Sequence, residues 1–315
     1  MNTTDNAEFG TAETNRRNEL KGYLLGVIGV AIFSATLPVT KLAVGTEAEP
    51  LMSAQFVAFA RAAIAGTLSL LWLAWVRPAM PKGNDWLLLV VTACGVVFGF
   101  PLLTSNAMRY VDGTHASVVL GLMPLATAVC GAIVYRRRPP VSFWLASIAG
   151  CALVIGFTLW RGHDTTTANS AGLTFADFLL LGAVILGAIG YTSGAALASR
   201  HRSETVISWA LVISLPLTTI GAWQTAPTND MPLVSWVALG YVALFSMWIG
   251  FFAWYRGLVL GGVMGVSQVQ SLQPFMGILV SIPLLNEQWS WVTISFAMAV
   301  VVTVYVAKNR LASQQ

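Results

Sequence analysis

The sequence predicts an all-α integral membrane protein, with ten transmembrane helices forming two inverted five-helix repeats. Three observations carry this. Of 315 residues, 56% are hydrophobic and only 10% are charged, with mean hydropathy +0.72. A soluble domain carries about 25% charged residues, so most of this chain has no means of making a water-facing surface. The apolar residues also gather into about ten runs, each near the roughly 20 residues that cross a bilayer as a helix. Finally, residues 261–287 echo residues 111–137 at an offset of about 150: Ser117, Val119, Leu122 and Pro124 reappear as Ser267, Val269, Leu272 and Pro274.

Residues 1–20 are polar, contain Arg16 and Arg17, and lack the apolar core of a signal peptide. They are expected to form a partly disordered cytoplasmic tail. The predicted spans are 22–44, 53–76, 86–108, 114–134, 141–160, 174–197, 206–223, 232–255, 262–284 and 290–307. Lipid offers no partner for a free N–H or C=O, so each span must be helical. Pro50, Pro78, Pro81, Pro139, Pro140, Pro227, Pro232, Gly261 and Gly262 punctuate the boundaries. The polar stretch RGHDTTTANSAGL at 161–173 reads as a linker between a first repeat at 21–160 and a second at 174–307, with 308–315 as a closing tail.

Orientation follows from Lys and Arg, which favour cytoplasmic gaps. Thirteen fall on the side of the termini, only Lys41, Arg109 and Arg161 fall opposite, and Arg61 lies within a span. Both termini are therefore expected in the cytoplasm. Five crossings per repeat is an odd number, so the second repeat enters from the opposite side. Most tryptophans fall near predicted helix ends, where their amphipathic rings suit the interface. Trp248 is the exception, well inside the eighth span.

The polar tail, the ten spans, the helix around Leu272 and Pro274, and the run Leu284-Leu285-Asn286-Glu287 together resemble the drug/metabolite transporter superfamily in its EamA-type branch. Asn286 replaces the glycine usual in that turn, and Tyr135, Arg136 and Arg137 depart from the pattern in the first repeat. Arg61 matches an arginine often carried by the family's second helix. The resemblance covers about residues 22–307. It implies a secondary transporter of the bacterial cytoplasmic (inner) membrane that moves a small metabolite, more often outward, by alternating access. Such carriers bind substrate where related halves meet.

The residues point to a pathway independently. Polar side chains deep in a span face protein or a water-filled cavity. On an α-helical wheel Ser267, Gln270, Ser271 and Pro274 share one face, with Gln273 flanking and Gln268 further round. Three glutamines and two serines within seven residues are more than helix–helix packing usually needs, which favours a cavity for Gln270 and Gln273 over the alternative of interhelical hydrogen bonding. Arg61 needs a partner, and no Asp or Glu is predicted at its depth, which leaves carbonyl oxygens, a substrate carboxylate or water. Thr36, Ser105, Asn106, His115, Tyr191, Ser193 and Trp248 are further cavity candidates. Pro38, Pro124 and Pro274 each withhold a backbone N–H and are candidate hinges.

The sequence argues against other classes. Basic residues lie between apolar runs, so the net charge of +4 is no nucleic-acid footprint. Cys94, Cys130 and Cys151 have no metal-ligand spacing, there is no H-E-x-x-H, and no base is placed beside Ser193. Neither metal nor cofactor is implied. The expected partners are the lipid bilayer and a small-molecule substrate, with a homodimer left open. A scaffold or sensor without transport remains the alternative class, and an intramembrane enzyme a more remote one. Arg61 suits a substrate with a carboxylate, such as an amino acid, while Tyr191 and Trp248 equally suit a flat or cationic compound, so amino acid-like or amphipathic compounds are the expected cargo.

Overall fold

The structure is a computed structural model that describes residues 3–46, 49–111, 116, 119–162, 175–285 and 291–312. Ordered secondary structure among these residues is helical, apart from an isolated bridge between Gly45 and Pro50. Helix α1 runs Thr3–Ser34 and continues as Thr36–Val44. Next come α2 (Ala54–Val76), α3 (Asp85–Tyr110), α4 (Met123–Val134) and α5 (Val141–Gly162). The later elements are α6 (Phe175–Ala198), α7 (Ser203–Gln224) and α8 (Leu233–Gly261). Helix α9 is built from Val263–Ser267, Gln268–Leu272 and Gln273–Leu285 in series, and α10 is Trp291–Ala312. Among the described residues, six helices are long and apolar enough to cross a membrane: α1 from Arg16, α2, α3, α6, α7 and α8.

Most expected spans coincide with these helices, with two notable differences. The tail expected to be partly disordered is helical from Thr3. Extending an existing helix avoids the cost of nucleating a new one. Helix α8 also runs to Gly261 rather than ending at 255, which places Arg256 on an exposed face within it. His115, Ser117, Asn286 and Glu287 lie outside the described residues, as does all but the first two residues of the expected linker.

Local chemistry sets the ends of α2. The Ser53 side chain accepts from the Phe56 N–H at 3.0 Å, supplying one of the donors that a helix start leaves open. Arg77 closes the helix in the left-handed region, φ 49°, where the chain turns away.

Helices of the first half pair with helices of the second: α1 with α8, α2 with α7, α3 with α6, α4 with α9 and α5 with α10. Lipid is as apolar as the side chains, so close van der Waals contact rather than escape from water drives such pairing. Glycines allow the closest approaches. A Cβ on Gly22 of α1 would fall 2.3 Å from the Gly261 nitrogen of α8. A Cβ on Gly95 of α3 would fall 2.5 Å from the Leu186 carbonyl oxygen of α6.

Two helices contain wide, π-helical stretches at matching places: Ala93–Gly99 in α3 and Val242–Ile249 in α8. In the first, the Phe100 N–H reaches back five residues to the Gly95 carbonyl. In the second, Gly250 does the same to Phe245. Their starts are 149 positions apart, close to the offset of the sequence repeat. Wide turns of this kind recur at functional sites. Helices α4 and α9 also break in register, with a turn at Gly121–Leu122 and a tight 3-10 stretch at Gln268–Leu272.

Candidate functional site

The π-helical stretches and the break in α1 meet around a small cavity. Its lining comes from both halves of the chain: Phe33, Thr36 and Leu37 of α1; Arg61 of α2; Val96, Phe100 and Pro101 of α3; Tyr191 of α6; Ser246, Met247 and Phe251 of α8; and Gln273 of α9. Val96 and Ser246 are 150 positions apart, as are Pro101 and Phe251. The free space is about 20 Å³, room for about one water.

Arg61 dominates the chemistry of this space. It is 3% exposed, and its Nη2 donates to Ser246 Oγ at 2.9 Å. Its Nε has no hydrogen-bond partner. Ser246 Oγ also shares a 2.8 Å hydrogen bond with Thr36 Oγ1, so one hydroxyl joins α1, α2 and α8. No Asp or Glu lines the cavity among the described residues. An ionised guanidinium away from water needs acceptors or an aqueous opening, and one neutral hydroxyl supplies little of what it lost.

A second polar edge comes from α6 and α9. Tyr191 lies beside the Gln270 side chain, and Gln270 Oε1 is buried without a hydrogen-bond partner. Gln273 Nε2 donates to the Phe33 carbonyl at 3.5 Å, across the break in α1. Gln270 lies within the 3-10 stretch Gln268–Leu272, and Gln273 opens the α-helix that follows it; Gln273 borders the cavity. Beneath lies an aromatic bed, with Phe33 and Phe251 centroids 5.1 Å apart and Tyr191 and Trp254 centroids 5.4 Å apart.

Of the residues expected at a cavity, Arg61, Thr36, Tyr191 and Gln273 line this one, and Gln270 stands just behind Tyr191. The others are engaged elsewhere. Asn106 accepts from Gln55 Nε2 at 3.2 Å and donates to the Leu102 carbonyl at 2.7 Å. Ser193 bonds to Thr92 Oγ1 at 2.9 Å. Trp248 donates to Ser208 Oγ at 3.1 Å and packs edge-on to Phe252. Ser267 donates to the Met264 carbonyl, and Ser271 is buried near Thr303 around Gly150. Ser105 is fully buried, its hydroxyl without a partner. Ser246 escaped the sequence reading, which singled out Trp248 two positions away; its one signal was a hydroxyl alone in an apolar run.

The three prolines occupy related places. Pro38 lies in the first turn after the break at Ala35. Pro124 is the second residue of α4, and Pro274 is the second residue of Gln273–Leu285. A proline costs least in a first turn, where the missing N–H has no intrahelical partner anyway. Gln268 Nε2 reaches the Pro124 carbonyl at 3.5 Å, tying the α4 break to the α9 break.

A helical bundle whose described residues include six helices long and apolar enough to cross a membrane is that of a multi-pass membrane protein, here with a buried arginine at a cavity lined from both halves of the chain. The chain belongs to the EamA-like transporter family, whose pattern matches residues 20–159 and 174–308. It is 42% identical over 290 residues to the uncharacterized transporter YdeK of Bacillus subtilis, covering 91% of this chain and 97% of that protein. It is 23% identical to an uncharacterized transporter of Archaeoglobus fulgidus, covering 79% and 86% of the two chains. A solved crystal structure superposes with a TM-score of 0.69 at 16% identity, covering 93% of this chain and 98% of the other, a likeness of fold.

Proposed function

We propose that the protein is a secondary transporter that exports a small metabolite by alternating access through the cavity between its halves. Ten crossings, in two oppositely threaded sets of five, would place both termini in the cytoplasm. Arg61, Thr36, Tyr191, Gln270 and Gln273 contact the substrate. Pro38, Pro124 and Pro274 mark the breaks about which helix ends swing. Amino acid-like or amphipathic compounds are the candidate cargo.

One observation carries this reading: a buried guanidinium with an unpaired Nε faces a space lined by both halves of the chain. The space holds about one water, so cargo enters only as α1, α3, α6 and α8 draw apart. Such a contracted centre suits a carrier that opens to one side at a time.

The test is solute movement by purified protein in liposomes, over a panel of metabolites, amino acids and amphipathic drugs. Gln270→Ala should lose most uptake of the responding solute while reaching the membrane at normal levels. Failure of every solute to move, with folded protein inserted in both orientations, would remove the proposal.

A further inference from the structure

Among its described lining the cavity holds one formal charge and several apolar walls, and from that asymmetry we infer that it selects organic monoanions. The ligand is a carboxylate with an aliphatic or aromatic body, preferred over the amino acid and over the amine of the same shape. This rests on reading the cavity as the place where cargo binds.

Arg61 supplies the first argument. A guanidinium pairs best with a planar anion that takes two parallel N–H bonds at once. Ser246 occupies only Nη2, at 2.9 Å, and the Nε–H beside it is unpaired and buried. The Arg61 side chain borders a space with no other charged residue among its described lining. A carboxylate there would balance the guanidinium and satisfy the idle donor together.

The second argument concerns what would meet an ammonium. No described carboxylate lines the space. Gln270 Oε1 is an unpaired acceptor, but a neutral amide oxygen does not balance a charge. Aromatic faces attract cations, and Phe33, Phe100 and Phe251 provide them; yet any cation among them also meets Arg61, whose repulsion is strong where water is scarce. A zwitterion gains from Arg61 at one end and loses its ammonium hydration at the other. The order expected is therefore acid, then amino acid, then amine. The three phenylalanines, with Leu37, Val96 and Met247, offer the body of the ligand an apolar wall.

The experiment uses full-length protein in nanodiscs and two matched trios: 4-methylpentanoate, leucine and isoamylamine; and 3-phenylpropionate, phenylalanine and phenethylamine. Affinity is read by thermal shift and checked by equilibrium dialysis. In at least one trio the acid should bind about tenfold or more tighter than the amine, a difference of about 1.4 kcal/mol. Arg61→Gln should abolish that preference, and Arg61→Lys, which keeps charge without the planar fork, should keep part of it. An amine that binds as well as its acid, no binding in either trio, or acid binding indifferent to both Arg61 variants overturns the inference. The two readings fail separately. An amine carried by the wild type and stopped by Gln270→Ala leaves a transporter without anion selection. Acids that bind at Arg61 and never cross leave an anion site without transport.

Discussion

Arg61 Nη2 and Ser246 Oγ lie 2.9 Å apart, though 185 positions separate them in the chain. The same oxygen meets Thr36 Oγ1 at 2.8 Å, so a serine in α8 anchors the one charge in the cavity and the break in α1. Ser246→Ala leaves a buried N–H of a charged group and a threonine hydroxyl without that partner. Hydrogen bonds to charged groups contribute about 1.5–3 kcal/mol, so the variant should melt several degrees below the wild type. Thr36→Val should cost much less in the Ser246→Ala background than alone, because both act on one network. Thermal melts of the four proteins check this, and additive losses would refute the shared network.

The membrane class was legible because lipid leaves little choice of backbone: long apolar runs become helices, and composition alone announces them. Arg61, Tyr191 and Gln273 were legible because polar groups deep in apolar runs are costly and stand out. Ser246 was not. A lone serine costs little in a helix, and its meaning depends on a partner 185 positions away. Nor was the local tightening legible: the sequence reads as one α-helix through Gln268–Leu272, where the backbone is a 3-10 helix. Asn106 and Trp248 show the converse: each reads as a pathway residue, and each spends its polar group on a neighbouring helix or carbonyl.

Close contact between α1 and α8 depends on Gly22. An added methyl there meets the backbone of Gly261 at 2.3 Å, and backbone cannot rotate aside. Gly22→Ala should cost about 1–3 kcal/mol, the usual range for overpacking. Gly240→Ala is the control: its Cβ would have nothing within 4 Å, and replacing a helical glycine should raise stability by about 0.5–1 kcal/mol. Fluorescence-detected melts of both variants give the comparison.

At the start of α3, Asp85 contacts the turn between α6 and α7: His201 Nε2 at 2.8 Å and Arg200 Nη1 at 2.9 Å. The Arg200 side chain is about half exposed, which limits the pair to about 1 kcal/mol or less. Asp85→Ala should lower the melting temperature slightly. The gap from wild type should narrow as salt rises from about 0.05 M to about 1 M, where screening acts within a few ångströms. A gap that persists at high salt would assign the loss to packing instead.

Orientation can be read chemically. In a cysteine-free background, a cysteine at exposed Glu49 should react with a membrane-impermeant maleimide added to intact cells. A cysteine at Arg202, whose side chain is largely exposed, should react only after the membrane is opened. Equal labelling of both sites in intact cells would place the α1–α2 and α6–α7 turns on one face and undo the odd crossing count of each half.

The wide turns in α3 and α8 mean that each helix stores a little more chain there than a regular ladder requires. Deleting a single residue within 93–99 or 242–249 would let ordinary bonding close up while leaving both flanks facing as before. Shortening should therefore be survivable at those two notches and ruinous one turn away. Libraries of one-residue deletions along the two helices would each show one island of tolerated loss, and within them Val96 and Ser246 would be drawn back from the chamber they border.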